Sequence, residues 1–551
     1  MRHGGHKTTF RPADFQPPLP LDKLIREEAP GDEAVPLDVV FVGGGPAGLA
    51  GAIELAHLAK RSGTEIEIGV MEKAERLGDH CLSGAVVNPI GFRELFPDLS
   101  DSDFPFRTPV KNERVYLMTE GGQIRLPTPP TMRNHGNYVA SICELTRWLG
   151  EKADALGVNL FTGFPVESLL VEGKTVRGVR TTPAGLDKQG KPGGAYVPAT
   201  DVTARVTVLS EGTRGPLSQA YLKWQNISSP NPQLFALGVK ELWEVKQPLD
   251  AVVHTLGWPL PHDAFGGSFF YPMAEHLVSL GLVVGLDYHQ HSLDVHELLQ
   301  KMKRHPLFRA YLEDGQMLEW GAKTIPEGGY HALPERCHGD GLLMIGDAAG
   351  FVDVPSLKGI HYAMMSGILA ARTIFEALKA TDTSRTGLAG YDRAIRQSFI
   401  HSDLHRTRNM RLAFKSGFYT GGVQASLMTL TGGAFPGGRI DVEEDAAERR
   451  QVVPPDEPQP DSKLTFAKVD GVFRSGNNTR DDMPSHLRVG STVPEEVAEF
   501  YQHMCPAAVY ESRDGKLAVN PSNCVDCKTT DVLGPRWSPR EGGSGTKYNR
   551  M

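Results

Sequence analysis

The clearest pattern of hydrophobic and polar positions lies in residues 37–73. The short apolar run 37–42 predicts a strand that is buried on both faces of a parallel sheet. A glycine-rich turn, 43–48, follows at once and opens a helix predicted over about 46–60, and a second strand is predicted over 65–71. This order of strand, turn, helix and strand indicates the first unit of a nucleotide-binding α/β domain.

The turn fits the spacing G-x-G-x-x-G. Gly43 allows the tight turn, Gly45 lets the backbone approach a pyrophosphate, and Gly48 lets the helix pack against the strand. The helix N-terminus favours an anion through its free N–H groups and its dipole. Glu72 ends the second strand, where a carboxylate can bond ribose hydroxyls. Together these features predict a dinucleotide site.

Further elements follow from the same patterns. A hairpin is predicted over 114–126, a helix over 145–156, and a strand at 206–209 that returns to the nucleotide sheet. Another buried strand leads into the turn Gly346-Asp347, which favours FAD over NAD because flavoproteins bond the ribityl and pyrophosphate region there. A helix is predicted over 364–377, with its N-terminus facing the flavin.

Residues 235–327 have a different texture, with aromatic residues interleaved with glycines. Such a pattern suits a pocket wall for a flat apolar ligand, and ordinary β-sheet core fits it equally well. The segment 411–438 is apolar and glycine-rich but interrupted, which indicates either a helix in the plane of a membrane interface or a buried loop and helix. The charged, proline-rich stretch 441–462 is typical of a linker.

Composition narrows the function. A net charge of −8 argues against nucleic-acid binding, and no apolar run is long enough to span a bilayer. Six cysteines indicate a reducing compartment rather than a disulfide scaffold. The N-terminal twenty residues have no signal-peptide core and are expected to form a disordered arm or to lie extended on the domain.

Three cysteines cluster near the C-terminus: Cys505, Cys524 and Cys527. Cys-Pro and Cys-x2-Cys are typical of iron–sulfur ligation. Zinc is an alternative, with His503 completing the ligands. The position where C-x2-C-x2-C would place a further cysteine is Thr530, so a site without metal is a third possibility.

The chain resembles the electron transfer flavoprotein–ubiquinone oxidoreductase family. The matching stretches are 43–48, 82–85, 134–138, 240–243, 257–259, 266–269, 281–288, 358–361, 505–511 and 523–529. The resemblance implies a mixed α/β and α+β protein with an FAD-binding Rossmann-like domain, a β-rich quinone-binding domain and a ferredoxin-like iron–sulfur domain. It implies electron entry from electron transfer flavoprotein and exit to ubiquinone or menaquinone, with the protein monotopic on a membrane surface.

The domain boundaries expected on this basis are an arm (1–34), an FAD domain (35–110, 140–234 and 335–400), a quinone domain (111–139 and 235–334), a membrane-surface segment (401–440), a linker (441–465) and an iron–sulfur domain (466–551). The expected location is the cytoplasmic face of a bacterial inner membrane, ahead of the matrix face of the mitochondrial inner membrane.

The resemblance also implies site residues. The FAD contacts expected are Gly43, Gly45, Gly48, Glu72, Ser83, Gly84, Gly346, Asp347, Asp353 and Gly359. Phe265, Gly266 and Gly267 would line the quinone site, the three cysteines would hold a 4Fe-4S cluster, and Tyr510 would hydrogen-bond a cluster sulfur and raise its potential. No catalytic acid–base residue is expected, because the isoalloxazine carries the chemistry.

Three positions depart from the family pattern. Thr530 stands at the last cluster cysteine, which leaves a three-iron cluster, a four-iron cluster with another ligand, or no cluster. Thr530, Asp531, Asp526 or water would be that other ligand. Asp353 replaces an asparagine near the flavin, and an anion there would lower the reduction potential of the flavin. Ile360 replaces a threonine.

Two other functions fit the residues. One is an FAD-dependent reductase or hydroxylase of an apolar, isoprenoid-like substrate. The other is a degenerate flavoprotein that serves as a docking subunit.

Overall fold

The structure is a computed structural model and describes residues 9–455 and 459–551. Predictions for the first eight residues of the arm and for residues 456–458 of the linker lie outside the described residues. The strands of the two large sheets are, in chain order, β1 (Ile25–Arg26), β2 (Val35–Val42), β3 (Ile68–Glu72), β4 (Glu113–Met118), β5 (Gln123–Leu126), β6 (Asn159–Thr162), β7 (Val166–Glu172), β8 (Thr175–Thr181), β9 (Asp201–Leu209), β10 (Phe235–Glu244), β11 (Val252–Gly257), β12 (Gly266–Ala274), β13 (Leu277–Gly285), β14 (Gln316–Pro326), β15 (His338–Gly339) and β16 (Leu342–Met344).

The main helices are α1 (Pro46–Ser62), α2 (Ile142–Asp154), α3 (Pro216–Trp224), α4 (Val295–Lys303), α5 (Pro306–Leu312), α6 (Ile360–Lys379), α7 (Gly390–Gln397), α8 (Phe399–Arg406), α9 (Phe418–Leu430), α10 (Lys468–Arg474) and α11 (Glu495–Met504). The predicted helices over 46–60, 145–156 and 364–377 are confirmed as α1, α2 and α6. The last two begin earlier than predicted, because Ser141 caps α2 and α6 starts directly after Gly359.

The first sheet has the order β6-β3-β2-β9-β8-β7-β1, and β16 with β15 extends from β9. Strands β2, β3, β6, β9 and β16 pair in parallel, which confirms the predicted nucleotide sheet and its returning strand. Helices α1 and α6 pack on it, with Gly51 against the Gly367 carbonyl, where a side chain would not fit. This close packing brings the N-termini of both helices to the same edge of the sheet.

The second sheet has the order β14-β10-β13-β12-β11-β4-β5. The predicted hairpin is confirmed as β4 and β5, and β4 pairs with β11 in parallel. Strands from both segments expected to form the quinone domain therefore share one sheet. Its hydrophobic core continues into residues 466–551, which we call the C-terminal or cysteine module, because Trp320 of this sheet contacts Gly471 of α10.

The arm and the linker pack on the body of the protein. Thr9–Phe10 pairs with Arg450–Gln451 of the linker. The Arg450 side chain is buried and donates to the carbonyl oxygens of Leu286 and Asp445. Of the two expectations for the arm, a segment lying on the domain fits the described residues, but it is not extended throughout, because Pro12–Phe15 and Leu21–Leu24 are short helices.

Candidate functional site

The glycine-rich turn lies at the N-terminus of α1, beside the end of β9. Gly43 has a φ of 116°, and a Cβ atom there would clash with the Ser210 carbonyl. A Cβ on Gly48 would clash with the Gly43 carbonyl, whereas no atom lies within 4 Å of a Cβ built on Gly45. The turn thus presents open backbone beside a helix N-terminus, which fits the diphosphate of FAD.

Glu72 takes part in building this turn. Its carboxylate accepts hydrogen bonds from the Gly44 N–H at 2.9 Å and from the Ala74 N–H at 2.8 Å. The predicted ribose contact of Glu72 stays a prediction, and in the structure the side chain ties the end of β3 to the turn.

Gly346 and Asp347 lie beside the same turn. A Cβ on Gly346 would be 3.0 Å from the Cβ of Ala47, and one on Gly359 would be 3.8 Å from Asp347 Oδ1. The structure therefore brings Gly346, Asp347 and Gly359 to the same edge of the sheet as the glycine-rich turn, which lies far from them in the sequence. Burial raises the pKa of Asp347 to about 6, and the charge of Lys323 opposes that rise.

Among the remaining predicted flavin residues, Ser83 and Gly84 lie with Leu82 and Ile360 on a neighbouring surface, which we call the flavin wall. The Ser83 carbonyl accepts a hydrogen bond from Lys240 Nζ at 3.0 Å, and Gly84 faces the Tyr271 ring. Ile360, which replaces the threonine of the family pattern, packs with Leu82 and Phe269 in an apolar cluster. An apolar side chain at this position therefore contributes to packing. Burial raises the pKa of Asp353, and a hydrogen bond from Ser356 and the charge of Lys358 oppose that rise.

The three clustered cysteines converge on one cavity of the C-terminal module. Cys505 follows α11, Cys524 follows a 3-10 turn at Pro521–Asn523, and Cys527 precedes the short helix Thr529–Leu533. All three are buried free thiols and line one small cavity. Converging thiols in a buried, largely apolar cavity fit an iron–sulfur cluster.

Thr530 and Tyr510 complete the wall of this cavity. Their hydroxyl oxygens are 2.5 Å apart, and Thr530 also lies 3.3 Å from the Pro535 carbonyl oxygen, to which it donates. The hydroxyl of Thr530 thus stands among the thiols at the position of the absent cysteine.

The other proposed ligands lie outside the cavity lining. His503 faces Asp294, with 3.9 Å between Nδ1 and Oδ2, which removes the support for a zinc site with that histidine. The Asp531 carboxylate is bound by Arg214, Gln219 and the Trp537 N–H. Of the side chains expected as a fourth ligand, Thr530 is the one that lines the cavity.

Asp526, between Cys524 and Cys527, is the centre of a buried ionic network that sequence reasoning missed. Its Oδ2 lies 2.5 Å from Lys73 Nζ, and its Oδ1 accepts from Arg540 at 2.8 Å and from the Trp537 indole at 3.0 Å. These cations outweigh the cost of burial, so the pKa of Asp526 is held well below its usual range. The only sequence signals were the acid within Cys-x2-Cys and a lysine directly after Glu72.

His486 also escaped sequence reasoning. One of its ring nitrogens, the Cys524 sulfur and an Asp526 oxygen lie within 4.8 Å of one another. Because the Asp526 charge is already paired with Lys73 and Arg540, this group has no free carboxylate for a further metal.

Phe265, Gly266 and Gly267 lead into β12. The Phe265 ring lies 5.0 Å from Phe414 and 4.1 Å from the Arg411 guanidinium. A Cβ on Gly267 would be 2.6 Å from the Thr255 carbonyl, so this position requires glycine for strand pairing as well as for any ligand. Phe265 thus packs against the segment 401–440, whereas Gly266 and Gly267 face residues of the second sheet and of the connection before β12.

Helix α9 of that segment exposes one apolar face. Tyr419, Val423 and Leu427 follow each other at four-residue spacing and are exposed by 66%, 65% and 42%. Leu430 and Phe435 are exposed as well, so the alternative of a buried loop and helix does not hold for these side chains. In the part of the chain that the structure describes, no helix has the length and hydropathy of a membrane span.

Comparisons with known proteins agree with this arrangement. Residues 235–325 match the family model "ETF-QO, ubiquinone-binding", and residues 462–549 match "Electron transfer flavoprotein-ubiquinone oxidoreductase, 4Fe-4S". These matches cover the second sheet apart from the hairpin β4–β5, and the cysteine module.

Among solved structures, the fold is similar to a geranylgeranyl bacteriochlorophyll reductase-like protein from Thermoplasma acidophilum, with a TM-score of 0.57, 19% identity, and coverage of 73% of this chain and 96% of the other. The halogenase CndH, a variant of FAD-dependent halogenases, gives a TM-score of 0.51 at 18% identity, over 73% and 92% of the two chains. At these identities the similarity concerns the fold alone.

Sequence relatives extend over nearly the whole chain. The mitochondrial electron transfer flavoprotein–ubiquinone oxidoreductase of Oryza sativa is 37% identical over 95% of this chain and 94% of its own length. The Pseudomonas aeruginosa protein of the same name is 37% identical over 94% of this chain and 100% of its own length. The chain therefore belongs to the electron transfer flavoprotein–ubiquinone oxidoreductase family.

Proposed function

We propose that this enzyme passes electrons from reduced electron transfer flavoprotein, through FAD and an iron–sulfur cluster, to ubiquinone or menaquinone. The observation that carries the proposal is the ion pair of Lys73 with Asp526. Glu72 holds the glycine-rich turn, and the next residue, Lys73, reaches the loop between Cys524 and Cys527. The two cofactor sites are thereby fixed to each other by adjacent residues of one strand end.

The chain's own residues bind and orient the groups. The turn at Gly43–Gly48, with Asp347 and Gly359 beside it, would hold FAD, and Cys505, Cys524 and Cys527 would hold the cluster. When bound, FAD and the cluster supply electron transfer in single-electron steps. The cluster site offers three thiols and the Thr530 hydroxyl, so a four-iron cluster there would need one ligand that is not a cysteine.

The quinone site would lie between Phe265–Gly267, where β12 begins, and the apolar helix α9. His262, three residues before Phe265, lies against Tyr419 of α9, with 6.0 Å between the ring centroids, so the segment before β12 adjoins the exposed face of α9. An apolar helix face at the mouth of the site suits entry of a quinone from lipid. We place the enzyme on the cytoplasmic face of a bacterial inner membrane, as a peripheral protein.

The test is steady-state reduction of a soluble quinone by reduced electron transfer flavoprotein, with the purified, cofactor-loaded protein. Turnover with this donor and none with NAD(P)H is expected. NAD(P)H oxidation without the donor would favour a reductase or hydroxylase, and bound FAD without any turnover would favour a docking subunit.

The quinone site is tested with Phe265→Ala rather than at Gly267, because Gly267 has a backbone requirement of its own. The KM for quinone should rise about tenfold, the equivalent of about 1.4 kcal/mol. Reduction of the bound cofactors by the donor, followed by absorbance without quinone, should stay unchanged. An unaltered KM would place the quinone elsewhere.

A further inference from the structure

Strand β14 runs between the flavin wall and the cysteine module and contacts both. A Cβ on Gly321 would touch the Leu82 side chain of the flavin wall. Three residues further along, the Thr324 N–H donates to the Cys527 carbonyl at 2.9 Å. The same few residues of one strand thus border both cofactor sites.

Two lysines extend from the same face of this sheet. Lys240 of β10 is directly opposite Gly321, and Lys323 of β14 is directly opposite Gly238, so in this antiparallel pair both side chains lie on the face that meets Leu82. Lys240 donates to the Ser83 carbonyl at 3.0 Å. Lys323 donates to the Asp526 carbonyl, in the loop between two cluster cysteines, at 3.2 Å.

Among the described residues, neither Lys240 nor Lys323 forms an ion pair with a carboxylate within 4.0 Å. The Asp526 side chain pairs with Lys73 and Arg540 instead. Burial, and then the charge of Lys73, lower the pKa of Lys323, and the charge of Asp526 opposes that fall. The charge of Lys323 in turn opposes the rise that burial causes in the pKa of Asp347 at the flavin site.

We propose that Lys323 is a positioning charge shared by the two redox centres, which raises the reduction potential of the FAD and of the cluster together. Reduction adds an electron to either centre, and a fixed cation nearby favours the added negative charge more strongly in a buried site than in water. Lys240 donates to the Ser83 carbonyl, and burial lowers its pKa to about 8, so the charge that it carries should act on the FAD and not on the cluster. The inference rests on the proposed function in one respect, that both cofactors are bound.

The experiment is a redox titration of the cofactor-loaded protein with mediators and dithionite, reading the FAD by absorbance and the cluster by EPR. K323Q and K323M should each lower both potentials, with at least a tenfold change in each reduction equilibrium, about 59 mV for a one-electron couple. K323R keeps the charge and should stay close to the wild type. K240Q should lower the FAD potential only.

K516Q, which removes an exposed lysine from the hairpin of the cysteine module, is the matched control and should change neither potential. A shift of one centre alone in both K323Q and K323M, or of neither, overturns the proposal. Loss of a cofactor from both variants also overturns it, because Lys323 would then serve cofactor retention. The titration needs neither donor nor quinone, so absent quinone turnover with shifted potentials would reject only the proposed function.

Discussion

Tyr510 and Thr530 are hydrogen-bonded to each other, with 2.5 Å between their hydroxyl oxygens. Tyr510 is the residue expected to tune the cluster, and Thr530 occupies the position expected for its fourth cysteine. Because both hydroxyls line the cavity of the three thiols, a change at either residue alters the polar wall around the same corner of the cluster.

Thr530→Cys should supply the missing thiolate. We expect a higher ratio of iron to protein after anaerobic purification and an EPR signal of a reduced four-iron cluster, because a thiolate holds iron far better than a hydroxyl. Thr530→Ser keeps the hydroxyl and serves as the control, with wild-type iron content. Equal iron content and equal spectra in the cysteine variant and the wild type would contradict a missing ligand.

Tyr510→Phe should lower the potential of the cluster, because it removes a hydroxyl from the cavity wall. Tyr501 is a matched control: it is also fully buried, its ring lies 5.7 Å from that of Tyr510, and its hydroxyl has no hydrogen-bond partner among the described residues. Tyr501→Phe should leave the potential unchanged in an EPR-monitored titration. Equal shifts in the two variants would assign the effect to packing.

Asp445→Asn should change how stability depends on pH. Burial, and then the charge of Asp287, raise the pKa of Asp445, whose Oδ2 accepts from the Phe235 N–H at 2.7 Å. The folded protein therefore keeps this proton at pH values where the unfolded chain, with an ordinary pKa of about 4, has lost it. Its contribution to the free energy of unfolding thus falls as pH rises from about 4 towards the raised pKa.

The asparagine variant cannot lose that proton and keeps an oxygen for the Phe235 N–H. Its free energy of unfolding, measured in denaturant, should gain on the wild type as pH rises through that window, by about 1.4 kcal/mol per unit of pKa shift. Asp441→Asn, at a carboxylate that is 79% exposed in the same segment, is the control. A difference between variant and wild type that is constant with pH would refute the assignment.

Val423→Glu should weaken membrane binding. Burying a valine side chain is worth about 1.5–3 kcal/mol, so replacing it with a charge should reduce partitioning into lipid vesicles at least about tenfold. Val197→Glu makes the same change at a valine that is 53% exposed in the strand Pro192–Val197 and should have no effect. Vesicle flotation measures both, and equal binding of the two variants would reject α9 as the membrane contact.

Local sequence determined the elements of the nucleotide site. A buried apolar run, closely spaced glycines and a run of small and apolar residues specify β2, the turn and α1 through backbone conformation and burial, which depend on neighbouring residues in the chain. The same holds for the hairpin β4–β5 and for the cysteine spacing. These features, and the family resemblance that they carry, were available without any contact between distant residues.

Only the tertiary structure decided which side chains act on the cofactor sites from a distance. Lys73 and Asp526 are 453 residues apart in the chain, and their ion pair arises because β3 ends beside the cysteine loop. Nothing in the sequence distinguishes Lys323 from other lysines in strands. Its position near both cofactor sites follows only from the packing of β14 between the flavin wall and Cys527. Charge effects depend on distance and burial, and neither quantity can be read from a linear sequence.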